Sequence, residues 1–165
     1  MTTKRSIKII LILFVILINI GCDQVSKKII RQNITPNGTI HLLSRHITIT
    51  NVENTGAFLS LGNSLTKTSK NILLSLLPFI AVMLGLLYVL TKQNLPNPLL
   101  AGFCFVIGGG IGNIFDRSVY GSVTDFLHID FGIFQTGIFN MADVSIMTGV
   151  FIILIQSFLR RNRSS

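Results

Sequence analysis

The sequence has no tryptophan, two cysteines, four prolines and six carboxylates in 165 residues. Cys22 and Cys104 cannot form a disulfide scaffold, and neither has metal-ligand spacing to His41, His46 or His128. No metal or other cofactor is expected. Charged residues make up 12% of the chain, where a soluble domain carries about a quarter. A long water-soluble enzyme, a disordered tail and a collagen-like rod are excluded together. The fourteen Lys and Arg leave a net charge of +8, yet they flank apolar runs instead of forming a basic face with interleaved aromatics. They read as membrane-edge residues meeting anionic head groups, and no nucleic-acid partner is expected.

What is abundant is apolar. Hydrophobic residues reach 49% and mean hydropathy is +0.66. Four runs stand out, at 9–22, 71–90, 99–115 and 144–159. With flanking residues they predict four membrane-spanning helices at approximately 6–23, 71–90, 98–116 and 141–159, enough for a hydrocarbon core of about 30 Å. The expected fold class is therefore a membrane α-helical protein of one domain over 1–165, with outer loops at 24–70 and 117–140. Four crossings put both termini on one side. Lys4, Arg5, Lys8, Lys92, Arg160, Arg161 and Arg163 fall on that side, and Lys27, Lys28, Arg31, Arg45, Lys67, Lys70 and Arg117 on the other. The first group lies in short tails and a tiny loop, where positive charge has most influence, so that side is expected to be cytoplasmic. The basic start, the apolar 9–18 and Gly21-Cys22 also fit a cleavable leader. Asn19 suits that reading poorly, and three further spans favour an uncleaved first helix.

In the first outer loop, His46 to Asn51 alternates polar and β-branched residues, which predicts a strand. Asn37-Gly38 and Asn54-Thr55-Gly56 mark turns on either side of it. A small sheet on the membrane surface is the expected form. Gly121, Gly132 and Gly137 break the second outer loop.

The acids are Asp23, Glu53, Asp116, Asp125, Asp130 and Asp143. On the predicted spans Asp23 ends the first, Asp116 ends the third and Asp143 begins the fourth, so every acid lies at or beyond one membrane face. Carboxylates near lipid are costly and usually face a polar cavity or a partner. Asn113, Asp116 and Arg117 are spaced to share a helical face, with Arg117 pairing Asp116. Asp23 and Lys27 have the same i, i+4 relation. Asp125 and Asp143 have no adjacent cation, and Asn140 stands three residues before Asp143. If the two acids face one another, one pKa rises and the other stays low, giving a general acid and a general base for peptide hydrolysis without metal. Spacing alone leaves structural and catalytic readings open. The glycines at 108, 109, 110 and 112 precede no Lys-Ser/Thr, so they fit close helix packing and not a phosphate loop.

Five segments together resemble the bacterial lipoprotein signal peptidase family, also called signal peptidase II. They are Asp23-Gln24-Val25-Ser26-Lys27, Asn54-Thr55-Gly56-Ala57-Phe58, Gly109 to Arg117, Val123-Thr124-Asp125-Phe126 and Phe139-Asn140-Met141-Ala142-Asp143. The resemblance implies an aspartic endopeptidase of the bacterial cytoplasmic membrane that cuts just before the diacylglyceryl-cysteine of a lipid-modified prolipoprotein. It implies Asp125 and Asp143 as the catalytic pair, and Asn54, Gly56, Asn113, Arg117 and Asn140 as site-lining or substrate-binding residues. Asp23, Lys27 and Asp116 match supporting polar positions. It further implies membrane lipids as surroundings, cytoplasmic termini, an extracytoplasmic β-rich cradle with the active site near that face, and inhibition by globomycin-type cyclic peptides. Thr124 stands where the family often has Val, and Gly110 where it often has Ala. Two alternatives from other classes are an ion-coupled membrane transporter and a non-catalytic membrane scaffold. The first would place acids near the bilayer midplane, and the second would tolerate Asn at 125 and 143.

Overall fold

The computed structural model describes residues 3–43, 46–56, 66–92 and 94–161. Arg45 and Arg163, Ala57 and Phe58, and the side chains of Lys4 and Lys67 lie outside the described residues. Four helices are long and apolar enough to cross a membrane. The first, α1, spans Thr3–Asn33. The second begins as a short turn, α2 (Lys67–Lys70), passes through a π-helical stretch at Asn71–Leu76 and continues as α3 (Leu77–Thr91). Pro78 explains the π turn: its ring crowds the Leu74 carbonyl and it has no N–H to donate there. The third is α4 (Asn97–Tyr120) and the fourth α5 (Met141–Arg161). α4 ends where Gly121 takes a left-handed φ of 76° and donates its N–H to the Arg117 carbonyl.

Three antiparallel strands form one sheet in the order β1 (Thr39–Leu42), β2 (Ile47–Asn54) and β3 (Val123–Ile129). The strand read at 46–51 is β2, extended through Asn54. Register faces Glu53 with Thr124, and Val52 with Asp125, after an irregularity between Ile49 and Val52.

The outer loop read from residue 24 begins instead as helix: the helix that carries the first span continues past Asp23. α1 runs on to Asn33, because the first Pro or Gly after Asp23 is Pro36. Its last turns also bury Ile30 and Ile34 against Phe126 of β3. At 1.5 Å per residue α1 is roughly 46 Å long, well beyond the ~30 Å hydrocarbon core. It therefore carries its polar residues up beside the sheet.

α4 packs against α1, α3 and α5, and its glycines permit the approach. A Cβ on Gly109 would strike the Ala142 carbonyl, and one on Gly112 would strike the Asp23 carboxylate. Ile12, Ile16, Val89, Cys104 and Ile107 fill the apolar core between α1, α3 and α4. Large apolar side chains such as Phe14, Leu17, Leu84, Phe151 and Phe158 face outward, as lipid-facing helices require. We expect Gly109→Ala to overpack α4 against the first turn of α5 and cost about 1–3 kcal/mol. A lower thermal midpoint in detergent checks it.

Candidate active site

Asn140 precedes the first residue of α5 and caps it. Its Oδ1 accepts the Asp143 N–H at 3.0 Å, and Asp143 Oδ2 accepts the Asn140 N–H at 3.2 Å. This reciprocal box satisfies donors that a helix start leaves open. The cap has a second consequence. With its oxygen committed, the Asn140 amide turns its nitrogen outward, and Nδ2 donates to Asp125 Oδ1 at 2.6 Å. One asparagine thus joins the carboxylates of β3 and α5.

Two further asparagines are oriented by the same logic. Asn54 Oδ1 accepts the Gly56 N–H at 2.9 Å, a local turn bond that points Nδ2 at Asp125 Oδ2, 2.8 Å away. Asn113 Oδ1 accepts Lys27 Nζ at 2.9 Å, which points its Nδ2 at Asp143 Oδ1, also 2.9 Å away. In each case a donor held on the oxygen side decides which way the amide faces. Both oxygens of Asp125 and both of Asp143 therefore accept N–H bonds, while neither acid forms an ion pair among the described residues. Burial pushes the Asp125 carboxyl up to about 6, with the Asp143 charge adding to it and the amides of Asn54 and Asn140 opposing it.

Beneath the pair lies a buried ionic layer. Lys27 is fully buried, donates to Asp23 Oδ2 at 2.7 Å and to Asn113 Oδ1, and pairs ionically with Asp116 Oδ2 at 2.9 Å. Asp23 Oδ1 accepts the Ala142 N–H at 2.9 Å, placing negative charge at the positive end of α5. Gln24 donates to both Asp23 and Asp116.

The spacing-based pairing of Asp116 with Arg117 is corrected. Consecutive helical residues point about 100° apart, so Asp116 faces inward to Lys27 and Arg31, the latter at 3.4 Å. Arg117 instead donates through Nη2 to the Gly56 carbonyl at 3.0 Å. Its buried Nε has no partner among the described residues. The other candidates, Asp23, Lys27, Asn54, Gly56, Asn113, Asn140, Asp125 and Asp143, come together in one connected network.

Sequence reasoning missed Arg31, Glu53 and Gln24. Arg31 Nε donates to Thr124 Oγ1 at 2.7 Å, Thr124 donates to Glu53 Oε1 at 2.6 Å, and the Arg31 guanidinium lies over the Tyr120 ring. A signal was present. Asn19, Asp23, Lys27 and Arg31 recur every fourth residue, a polar stripe on one face of an apolar helix.

The family model for signal peptidase (SPase) II matches residues 15–159. The chain is similar to the lipoprotein signal peptidase of Wigglesworthia glossinidia brevipalpis, 37% identical over 94% of each chain. That of Bacillus subtilis (strain 168) is 30% identical over 87% of this chain and 90% of its own. In fold it is similar to a solved bacterial membrane enzyme with a TM-score of 0.83 at 21% identity, covering 93% of this chain and 91% of that one.

Proposed function

The chain belongs to the signal peptidase II family, and from that premise we propose that Asp125 and Asp143 are its catalytic pair. It is an integral membrane aspartic endopeptidase that removes signal peptides from prolipoproteins. The transporter and scaffold alternatives are not favoured. The observation that carries the dyad is the double use of Asn140, which holds both carboxylates in one buried site with neither in an ion pair among the described residues.

The reaction follows from that geometry. One carboxylate, ionised, takes a proton from a water as its oxygen attacks the scissile carbonyl carbon. The other, protonated, hydrogen-bonds and then protonates the developing oxyanion. Collapse of the tetrahedral species returns a proton to the leaving amine, which is the amino group of the lipidated cysteine, and the carboxyl remains on the signal peptide. Arg117 Nε and the turn at Asn54–Gly56 are placed to hold substrate backbone. Burial of two acyl chains supplies affinity that an unmodified precursor lacks.

The orientation belongs to the same reading. Lys8 Nζ donates to the Lys92 carbonyl at 2.7 Å, bringing the start of α1 to the end of α3. Arg5, Lys8, Lys92, Arg160 and Arg161 thus mark an acid-free end that suits the cytoplasm. The dyad and sheet then lie toward the extracytoplasmic face of the bacterial cytoplasmic membrane, and globomycin-type peptides would occupy the same cleft.

The test is cleavage by protein reconstituted in vesicles, using diacylglyceryl-modified and unmodified forms of one prolipoprotein. A single cut just before the modified cysteine, and little turnover of the unmodified form, is expected. Equal cutting of both, or a cut elsewhere, would overturn the substrate assignment. A pH series adds a second check. A working pair keeps one proton, and Asp125 loses its proton at about pH 6. We expect kcat/KM to fall as pH rises through that value, and Asn54→Ala, which removes a donor to the ionised form, to move this limb to higher pH.

A further inference from the structure

One cavity is lined by neither Asp125 nor Asp143. It is an open cleft of about 130 Å³ between the end of β2, the start of the second membrane helix and the end of α4. Thr55, Lys70, Asn71, Leu74, Ser75 and Arg117 line it. Asn71, Leu74 and Ser75 belong to the π-helical stretch, whose wider turn brings them to one side. Its two cations hold neighbouring residues of one turn: Lys70 Nζ lies 3.2 Å from Thr55 Oγ1, and Arg117 Nη2 lies 3.0 Å from the Gly56 carbonyl. The carboxylates that act on Arg117 are Asp125, Asp143 and Asp116, and none of them lines the cavity. Two positive groups, two hydroxyls and an amide converge there with no carboxylate among the described lining residues.

We propose that this cavity binds a phosphate-type anion, supplied by the head group of an anionic phospholipid. An anion between Lys70 and Arg117 relieves the repulsion of two like charges held in one cavity and adds charge-assisted hydrogen bonds. Leu74 lines the pocket, and Leu73, Leu76 and Leu77 beside it are exposed, giving acyl chains an apolar path along the same helix. The bound head group braces the Thr55–Gly56 turn from outside. Asn54, at the start of that turn, donates to Asp125, so lipid occupancy is felt as tighter positioning of the dyad. The cavity is then a regulatory site of the peptidase that borders the substrate-holding turn and shares Arg117 with it, but contains neither of the proposed catalytic acids.

The experiment uses the full chain in neutral phosphatidylcholine vesicles, with or without a minor fraction of phosphatidylglycerol. Retained phosphatidylglycerol is counted by native mass spectrometry, and cleavage is measured in parallel. Wild type is expected to keep bound phosphatidylglycerol and to cleave about fivefold faster with it, the increment of one well-placed basic contact. Lys70→Gln should lose both effects while keeping the rate seen in neutral vesicles, and Lys70→Arg should restore them. Lys28→Gln, altering an exposed lysine outside the cavity, should behave as wild type. If inorganic phosphate alone reproduces the stimulation in neutral vesicles, the anion is free phosphate and the site stands with that source. Equal losses in Lys28→Gln and Lys70→Gln would show diffuse surface charge and overturn the proposal, as would retention and rate indifferent to anionic lipid. The lipid count does not depend on cleavage, so failure of the peptidase reading and failure of this site give different results.

Discussion

Asp125→Asn should abolish prolipoprotein cleavage and make the folded protein more stable. Losing the carboxyl removes a proton donor or acceptor from the reacting atoms, an effect of at least ~10³-fold. The stability change has the opposite sign because the native site is unfavourable for the charge. Asp125 is buried, and its pKa rises from the ordinary 3.8 to about 6. Ionising it in the fold therefore costs about 3 kcal/mol relative to the unfolded chain. That cost is fully present above pH 6, shrinks as pH falls through that value and is gone below the unfolded pKa. An amide removes it but can accept from only one of the two asparagines that now bond to Asp125. A net gain of about 1–2 kcal/mol at pH 7.5 is expected, and no gain at pH 4. Thermal unfolding of wild type and Asp125→Asn in detergent at the two pH values measures it. A variant less stable than wild type at pH 7.5 would mean the site is not strained in favour of chemistry. Asp143→Asn should lose cleavage equally, since in the proposed mechanism each acid does what the other cannot.

That a site can be both destabilising and well organised bears on what was legible in the sequence. Four membrane helices and the central strand were readable, because lipid demands long apolar runs and a two-sided sheet demands alternation. That Asp125 and Asp143 have no adjacent cation was readable, while their role as a pair was implied by the resemblance. Their connection was not readable, since it runs through Asn140 acting as helix cap and carboxylate donor together. Asn54 and Asn140 take their orientation from local bonds to Gly56 and Asp143, but Asn113 takes it from Lys27 on α1, and no local spacing encodes that. The extension of α1 was missed for a related reason. Charge at Asp23 reads as the end of a span, whereas the helix continues because its polar stripe has partners on α4, α5 and β3. The Asp116–Arg117 pairing failed for want of a direction: neighbours in sequence diverge on a helix, and Arg117 was free to turn to Gly56. Register hid Glu53 as well, because its place opposite Thr124 appears only once β2 and β3 are paired.

Lys27→Met carries the second large effect, and it separates folding from catalysis. Methionine fills nearly the same length of cavity but leaves the buried Asp23 without a cation and the buried Asp116 with only the longer contact to Arg31. Breaking one side of such a buried cluster costs about 3–5 kcal/mol. We expect Lys27→Met to accumulate poorly in membranes and to unfold well below wild type in detergent. The triple change Asp23→Asn, Lys27→Met, Asp116→Asn removes the stranded charge and should recover most of that loss, and the difference gives the coupling directly. Activity should not return with it. Lys27 Nζ is the donor that holds Asn113 Oδ1 and so keeps Nδ2 on Asp143. Once that anchor is gone the amide can rotate and present its oxygen to the carboxylate. A misplaced group at this distance from the reacting atoms costs about 10²-fold in kcat. A folded triple variant with wild-type kcat would show that the ionic layer serves stability alone. A folded triple variant with depressed kcat and unchanged KM would show that Lys27 acts through Asn113 on the acid at the start of α5.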